Sequence, residues 1–256
     1  MILFKKIVYR LLCNSFTNKI IEFLFGKSIP DIRWRRYAFN LTDIGRNHSI
    51  YASVFWGFYE SSEIRFVEKY FKGNLDVIEF GGSCGVVTSH IVSKLNQNKK
   101  LISVEANKQL RLVWEINTQR HNTKLAEIEL VNKAIHYDSV EVNFYISRNT
   151  TESSSKKNDV NNSNSFIIPA ITLKEIIDLY KVNEYILVCD IEGSEIQILL
   201  NENDAFKFCQ SIIIELHSTV HNGISYSISQ LENLILQKGF KRISNHGPVY
   251  YFEKAK

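Results

Sequence analysis

The run Leu75-Asp76-Val77-Ile78-Glu79-Phe80-Gly81-Gly82-Ser83-Cys84-Gly85 decides how this chain folds. Its apolar stretch ends beside the acidic Glu79 and breaks into three glycines. Apolar residues then return at helical spacing in Val87, Ile91 and Leu95. The pattern predicts a strand, a tight turn and a helix. Glycine reaches backbone conformations closed to other residues and lets a ligand approach the main chain. Gly81, Gly82, Ser83 and Gly85 are therefore expected to lie under a ligand at the end of a buried parallel strand.

Downstream, the same alternation repeats. Leu101–Val104 reads as a second buried strand ending at Glu105, followed by a helix from about Lys108 to Asn122 with Leu110, Val113 and Ile116 inward. Residues 128–135 form a third strand-like run, and Val140, Val142, Phe144 and Ile146 alternate as a half-exposed strand. Residues 149–165, dense in Ser, Asn and Lys, read as a long surface loop. Thr172 and Glu175 make a capping box for a helix to Tyr180. The strand Tyr185–Cys189 ends at Asp190, and Ile191-Glu192-Gly193-Ser194-Glu195 leads into another helix. A strand over 211–217 and a helix over 228–236 precede a terminal hairpin about Asn245-His246-Gly247-Pro248. Strands alternating with amphipathic helices predict a doubly wound α/β domain, its hairpin adding one antiparallel strand. Ligands of such sheets bind outside the carboxyl ends of the strands, where Glu79, Glu105, Asp190, Glu215 and His217 all fall.

Upstream, residues 1–57 read as an extension to a domain spanning 58–256. Residues 2–25 look helical, apolar on one face and interrupted by Lys5, Lys6, Arg10 and Lys19. Such a helix packs on the domain, serves as a dimer arm, or rests on an anionic membrane surface. Residues 31–60 are rich in aromatics and arginine, as a pocket wall or a satellite cluster would be. Ser61-Ser62-Glu63 reads as a helix start, with Ile64, Val67 and Phe71 buried and Gly73 at the end.

Composition narrows the options further. The net charge is +4 over 256 residues. Residues 1–36 carry eight Lys or Arg against Glu22 and Asp31, so the remainder is slightly acidic and no nucleic-acid partner is expected. Four separated cysteines suit reduced thiols in a cytoplasmic protein. No run is apolar enough for a membrane span, and the charged N-terminus does not suit a signal peptide.

The glycine spacing excludes two common ligands. A dinucleotide fingerprint would need glycine where Ser83 and Val86, or Cys84 and Val87, stand, and a phosphate loop would need Gly-Lys-Ser/Thr where Gly85-Val86 stands. A smaller cationic ligand carrying a ribose fits better. Glu79 offers a carboxylate to an ammonium, and Glu105, one strand later, can accept both ribose hydroxyls. S-adenosylmethionine unites an amino acid, a sulfonium and an adenosine.

Glu79-x-Gly81-x-x-x-Gly85, Val104-Glu105-Ala106-Asn107 and Asp190-Ile191-Glu192-Gly193-Ser194-Glu195 together resemble the FkbM-type S-adenosylmethionine-dependent methyltransferases. The likeness runs from about Phe58 to His217, including Ile214-Glu215-Leu216-His217, and its specific part is the acidic block. It implies a class I methyltransferase sheet of seven strands, the last antiparallel, with helices on both faces. It also implies O-methylation, commonly of sugars in polysaccharides, glycolipids or natural products. The family more often has Asp where Glu79 stands, Asn-Ile-Gly at Ser83-Cys84-Gly85, and Pro at Ala106.

Roles follow as expectations. Glu79, Gly81, Gly82, Ser83, Gly85, Glu105 and Ala106 hold the cofactor, and Asn132 and Ala134 border its adenine. Methyl transfer needs an in-line acceptor hydroxyl able to lose a proton. Asp190 would take that proton or hold the sulfonium region, Glu192 would act beside it or cap the next helix, and His217 is a general-base candidate. Asp190, Glu192, Glu215 and His217 also offer the donors of a magnesium site, although no residue is assigned to a metal by spacing. The leading expectation is an O-methyltransferase acting on a glycan or glycolipid, cytoplasmic or at the inner membrane face through residues 1–25. A homodimer is a further option. Alternatives are a non-catalytic cofactor-binding scaffold in a glycan assembly complex, and an N-methyltransferase.

Overall fold

The computed structural model describes residues 2–41, 50–146 and 164–255. Most of the Asn/Ser-rich stretch 149–165 lies outside them. Among the described residues one mixed sheet contains seven strands: β1 (Asp76–Phe80), β2 (Lys100–Val104), β3 (Glu127–Val131), β4 (Tyr185–Cys189), β5 (Cys209–Glu215), β6 (Phe240–His246) and β7 (Val249–Lys254). Their order across the sheet is β6-β7-β5-β4-β1-β2-β3, and β7 is antiparallel to both neighbours. The chain winds outward from β1 in one direction through β2 and β3, then returns to begin the other half at β4. The crevice between the carboxyl ends of β1 and β4 is thus the topological switch point, where such sheets bind ligands.

Alternation within the strands builds both cores. In β1, Val77 faces the helices α4 (Ser61–Tyr70), α5 (Val86–Lys94) and α6 (Arg111–His121), while Ile78 and Phe80 face the opposite layer. That layer comprises α7 (Leu173–Tyr180), α8 (Glu195–Asn201), α9 (Ala205–Phe208) and α10 (Ile228–Gln237). Period-2 geometry puts Glu79 on the α5 side with Val77. The same rule fills β4 and β5, whose Ile186, Val188 and Ile213 join the first core and whose Leu187, Cys189, Ile212 and Ile214 join the second.

Several elements differ from the periodicity. Residues 2–25 form two helices, Ile2–Leu12 and Ser15–Phe25, parted at Asn14, whose side chain caps the second with Thr17 in reciprocal hydrogen bonds. The 128–135 run splits into β3 and a short strand, Ala134–Ile135. The latter joins a small sheet with Glu141–Ile146 and the unexpected strand Asn164–Ile171. In α6 the inward face is Val113, Trp114, Asn117 and Thr118, with Leu110 buried just before it, and Ile116 is exposed.

The aromatic segment belongs to the core. Tyr37 and Phe39 are fully buried, and the Tyr37 ring packs against the His90 ring of α5 with centroids 3.7 Å apart. Glu68 of α4 accepts hydrogen bonds from Arg36 and Tyr37 and pairs with His90, which holds its carboxyl down at about 2 despite burial. Asn117 donates to the carbonyls of both Asn40 and Cys84, tying this segment to the glycine turn.

Candidate active site

The glycine turn is as tight as the sequence requires, though for a different reason. Gly81 has φ +88°, and a Cβ there would lie 1.9 Å from the carbonyl oxygen of Asp190. A Cβ on Gly82 would meet Ser103 Oγ at 2.2 Å, and one on Gly85 would crowd Trp114 and Thr118. The glycines are needed by the protein's own packing, where β1, β4 and α6 come closest, and not by ligand approach alone. Ser83 completes the turn at φ +45°, with its Oγ 3.1 Å from the Tyr59 hydroxyl.

Glu79 is buried and accepts hydrogen bonds from Thr88 Oγ1 (2.8 Å) and Ser103 Oγ (2.5 Å). Burial pushes its carboxyl up to about 7, opposed by the two hydroxyls. A carboxyl protonated more readily in the folded chain than in the unfolded one loses stability as pH rises from about 4.5 to 7. The free protein should therefore unfold more easily at pH 8 than at pH 5, with about 3 kcal/mol of that difference assigned to Glu79. Thermal melts across this range should show a flatter profile for Glu79→Gln, and an unchanged slope would contradict this placement.

Glu105 closes the turn from β2. Its Oε2 accepts the Ser83 amide (2.8 Å) and its Oε1 the Asn107 amide (2.6 Å), while burial raises its pKa against those bonds. Each oxygen keeps a further lone pair for a ribose hydroxyl. Asn132 Nδ2 donates to the Glu105 carbonyl (2.6 Å), so it braces this strand end. Ala106 packs against the small sheet, and Ala134 is buried inside it.

At the end of β4, the acidic block folds around Glu195. This fully buried carboxylate accepts the amides of Ile191 (3.3 Å) and Gly193 (3.1 Å) and faces His217 Nδ1 (3.1 Å). Those bonds hold Glu192 at φ +51° and Gly193 at φ +91°. Asp190 meets the glycine turn directly, its amide donating to the Phe80 carbonyl, and its Oδ1 is buried with no hydrogen-bond partner among the described residues. Burial, then the charges of Glu215 and Glu192, push its carboxyl well above the usual range.

His217 sits among carboxylates, its Nε2 3.5 Å from Glu215 and 3.6 Å from Glu192. Burial opposes charge on the ring, yet hydrogen bonds to Glu195 and Glu215 hold its pKa up to about 11. Both ring nitrogens thus face carboxylates.

Three groups join this end from outside the sequence motifs. Burial and Asp190 raise the Glu60 carboxyl; burial and Glu215 raise that of Glu63, on the first turn of α4. Tyr59 reaches Ser83 and Cys84. Glu60 and Glu63 precede or begin a helix, so their sequence signal is indistinguishable from ordinary helix-start acids. Among the described residues, cavities of about 440 Å³ lie among α8, α9 and α10 and beside Tyr70, Gln210 and Tyr251.

The strand order, the glycine turn at β1 and the acid at β2 define a class I methyltransferase fold. A family model described as the methyltransferase FkbM domain matches residues 81–242, and the chain belongs to that family. S-adenosylmethionine is the cofactor of this class, and the residues present suit it: partly satisfied carboxylates meet a ligand with two positive centres and a ribose. Solved structures of similar fold include a precorrin-6y C5,15-methyltransferase from Geobacter metallireducens GS-15 (12% identity, 89% of this chain and 99% of that one, TM-score 0.44). Another is a ribosomal protein L11 methylase from Lactobacillus delbrueckii subsp. bulgaricus (10%, 76% and 77%, TM-score 0.42). A third is magnesium protoporphyrin IX methyltransferase from Synechocystis PCC 6803 with bound SAM (6%, 75% and 76%, TM-score 0.42). No curated protein matches the chain in sequence.

Proposed function

We propose that the chain is an S-adenosylmethionine-dependent O-methyltransferase acting on a sugar hydroxyl of a polysaccharide, glycolipid or related natural product. One observation carries this reading: the buried, partnerless Oδ1 of Asp190 stands against the glycine turn, beside further carboxylates of Glu192 and Glu215. Bound S-adenosylmethionine supplies an electrophilic methyl group and departs as a neutral thioether. The turn from Gly81 to Gly85 seats its methionine part, Glu105 accepts the ribose hydroxyls, and Asn132 keeps that carboxylate in place. Asp190 orients the acceptor and receives its proton, while Glu192 and Glu215 offer acceptors to neighbouring hydroxyls. Glu195 and His217 position the loop.

The test is methyl transfer from labelled S-adenosylmethionine to surface glycans from cells lacking the protein, read by mass spectrometry as one added methyl per acceptor. Methyl on nitrogen would favour an amine acceptor, and cofactor binding without transfer to any glycan would favour the scaffold reading.

The N-terminal helices support a place for this reaction at the inner face of the cell membrane. On α2 (Ser15–Phe25), Phe16, Ile20, Phe23 and Leu24 fall on one face, and Phe16, Phe23 and Leu24 are 71%, 87% and 63% exposed. Exposed Arg10, Lys19 and Lys27 accompany them, complementary to anionic lipid. No helix of the described residues is long and apolar enough to cross a membrane. Phosphatidylserine liposomes should sediment the protein in a salt-sensitive manner, and Phe23→Glu should weaken binding at least about tenfold, since a buried aromatic side chain is worth ~2 kcal/mol. Equal sedimentation of the variant would refute the contact.

A further inference from the structure

Behind the Asp190 loop, carboxylates from three separate elements converge. Glu63 comes from α4, Asp190 from the end of β4 and Glu215 from the end of β5. One oxygen of each lies within 4.8 Å of the others. Asp190, Glu192 and a nitrogen of His217 form a second set within the same limit, sharing Asp190. Among the described residues no lysine or arginine pairs with Glu63, Asp190 or Glu215.

A further observation distinguishes this from a solvated acidic face. Glu63 is only 5% exposed, and its Oε1, like Asp190 Oδ1, is buried with no hydrogen-bond partner among the described residues. Leaving a buried carboxylate oxygen bare is costly unless something fills the gap.

We propose that Glu63, Asp190 and Glu215 hold a divalent cation. Three carboxylates suit a hard ion of the manganese or magnesium kind. The ion's role rests on the methyltransferase reading: beside the donor turn, it would bind and orient acceptor oxygens. Asp190, coordinating through one oxygen, retains the other for the acceptor's proton.

The test is titration of the purified full chain with Mn²⁺, without S-adenosylmethionine, following loss of the free-ion signal by electron paramagnetic resonance. One tight equivalent is expected, with submillimolar dissociation. Glu63→Gln and Glu215→Gln should each weaken it at least tenfold while circular dichroism stays unchanged. If one variant unfolds, the other decides. No binding by the wild type at millimolar Mn²⁺, or equal binding by the folded variants, would overturn the site. S-adenosylhomocysteine binding measured on the same samples separates the two readings. Its persistence without metal binding removes the ion alone, whereas its absence with metal bound removes the methyltransferase assignment alone.

Discussion

Gly81→Ala is expected to lower the unfolding free energy by about 3–5 kcal/mol, or to prevent folding. Two costs combine. At φ +88° a side chain strains the backbone by roughly 1–3 kcal/mol. The added Cβ would also press to 1.9 Å from the Asp190 carbonyl, and a backbone atom held by the sheet cannot swing aside as a side-chain tip would. Gly26→Ala is the control, because its φ of +60° carries the strain while no atom stands within 4 Å of the new Cβ. Urea denaturation of the two variants should differ by at least about 2 kcal/mol. Similar losses would mean that the close approach of β1 to the Asp190 loop is not what requires the glycine.

Asp190→Asn should reduce methyl transfer at least about 100-fold while leaving affinity for S-adenosylhomocysteine within about threefold. Asparagine preserves the shape and can still hydrogen-bond. It cannot accept the acceptor's proton, and it removes the charge shared by both carboxylate sets. Glu105→Ala should behave in the opposite way, losing cofactor affinity first. If Asp190→Asn instead abolishes cofactor binding, the residue holds the sulfonium region and the acceptor's proton leaves by another path. Full activity in the variant would favour the cofactor-binding scaffold.

Much of the fold was legible because buried strands announce themselves. The β1, β2, β4 and β5 runs are short, apolar and closed by acids, so the sequence alone marks their carboxyl ends. The break at Asn14 was harder, since apolar spacing continues across it and only the capping geometry of Asn14 and Thr17 separates the helices. The strand Asn164–Ile171 was hidden by its Ser/Asn-rich start and by Pro169. Ile116 looked inward by spacing, yet the helix turns its Trp114 and Asn117 side to the core.

At the site, local motifs told which strand ends bear acids but not how they pair. His217 reads in sequence as a free imidazole; only the fold brings Glu192, Glu195 and Glu215 around it. Glu63 was legible as a helix-start residue and nothing more. Its burial against Glu215 is a long-range contact that no local pattern records. The glycines were recognised by type, but their cause lies in Asp190, Ser103 and Trp114, distant in sequence.

The central claim is that the β1–β2 end binds the methyl donor through Glu105. Isothermal calorimetry of the full chain with S-adenosylhomocysteine tests it most directly. One site of about micromolar affinity is expected, weakened at least tenfold in a folded Glu105→Ala variant whose lost carboxylate no longer meets the ribose hydroxyls. No heat of binding to the wild type, or equal affinity in Glu105→Ala, would contradict it.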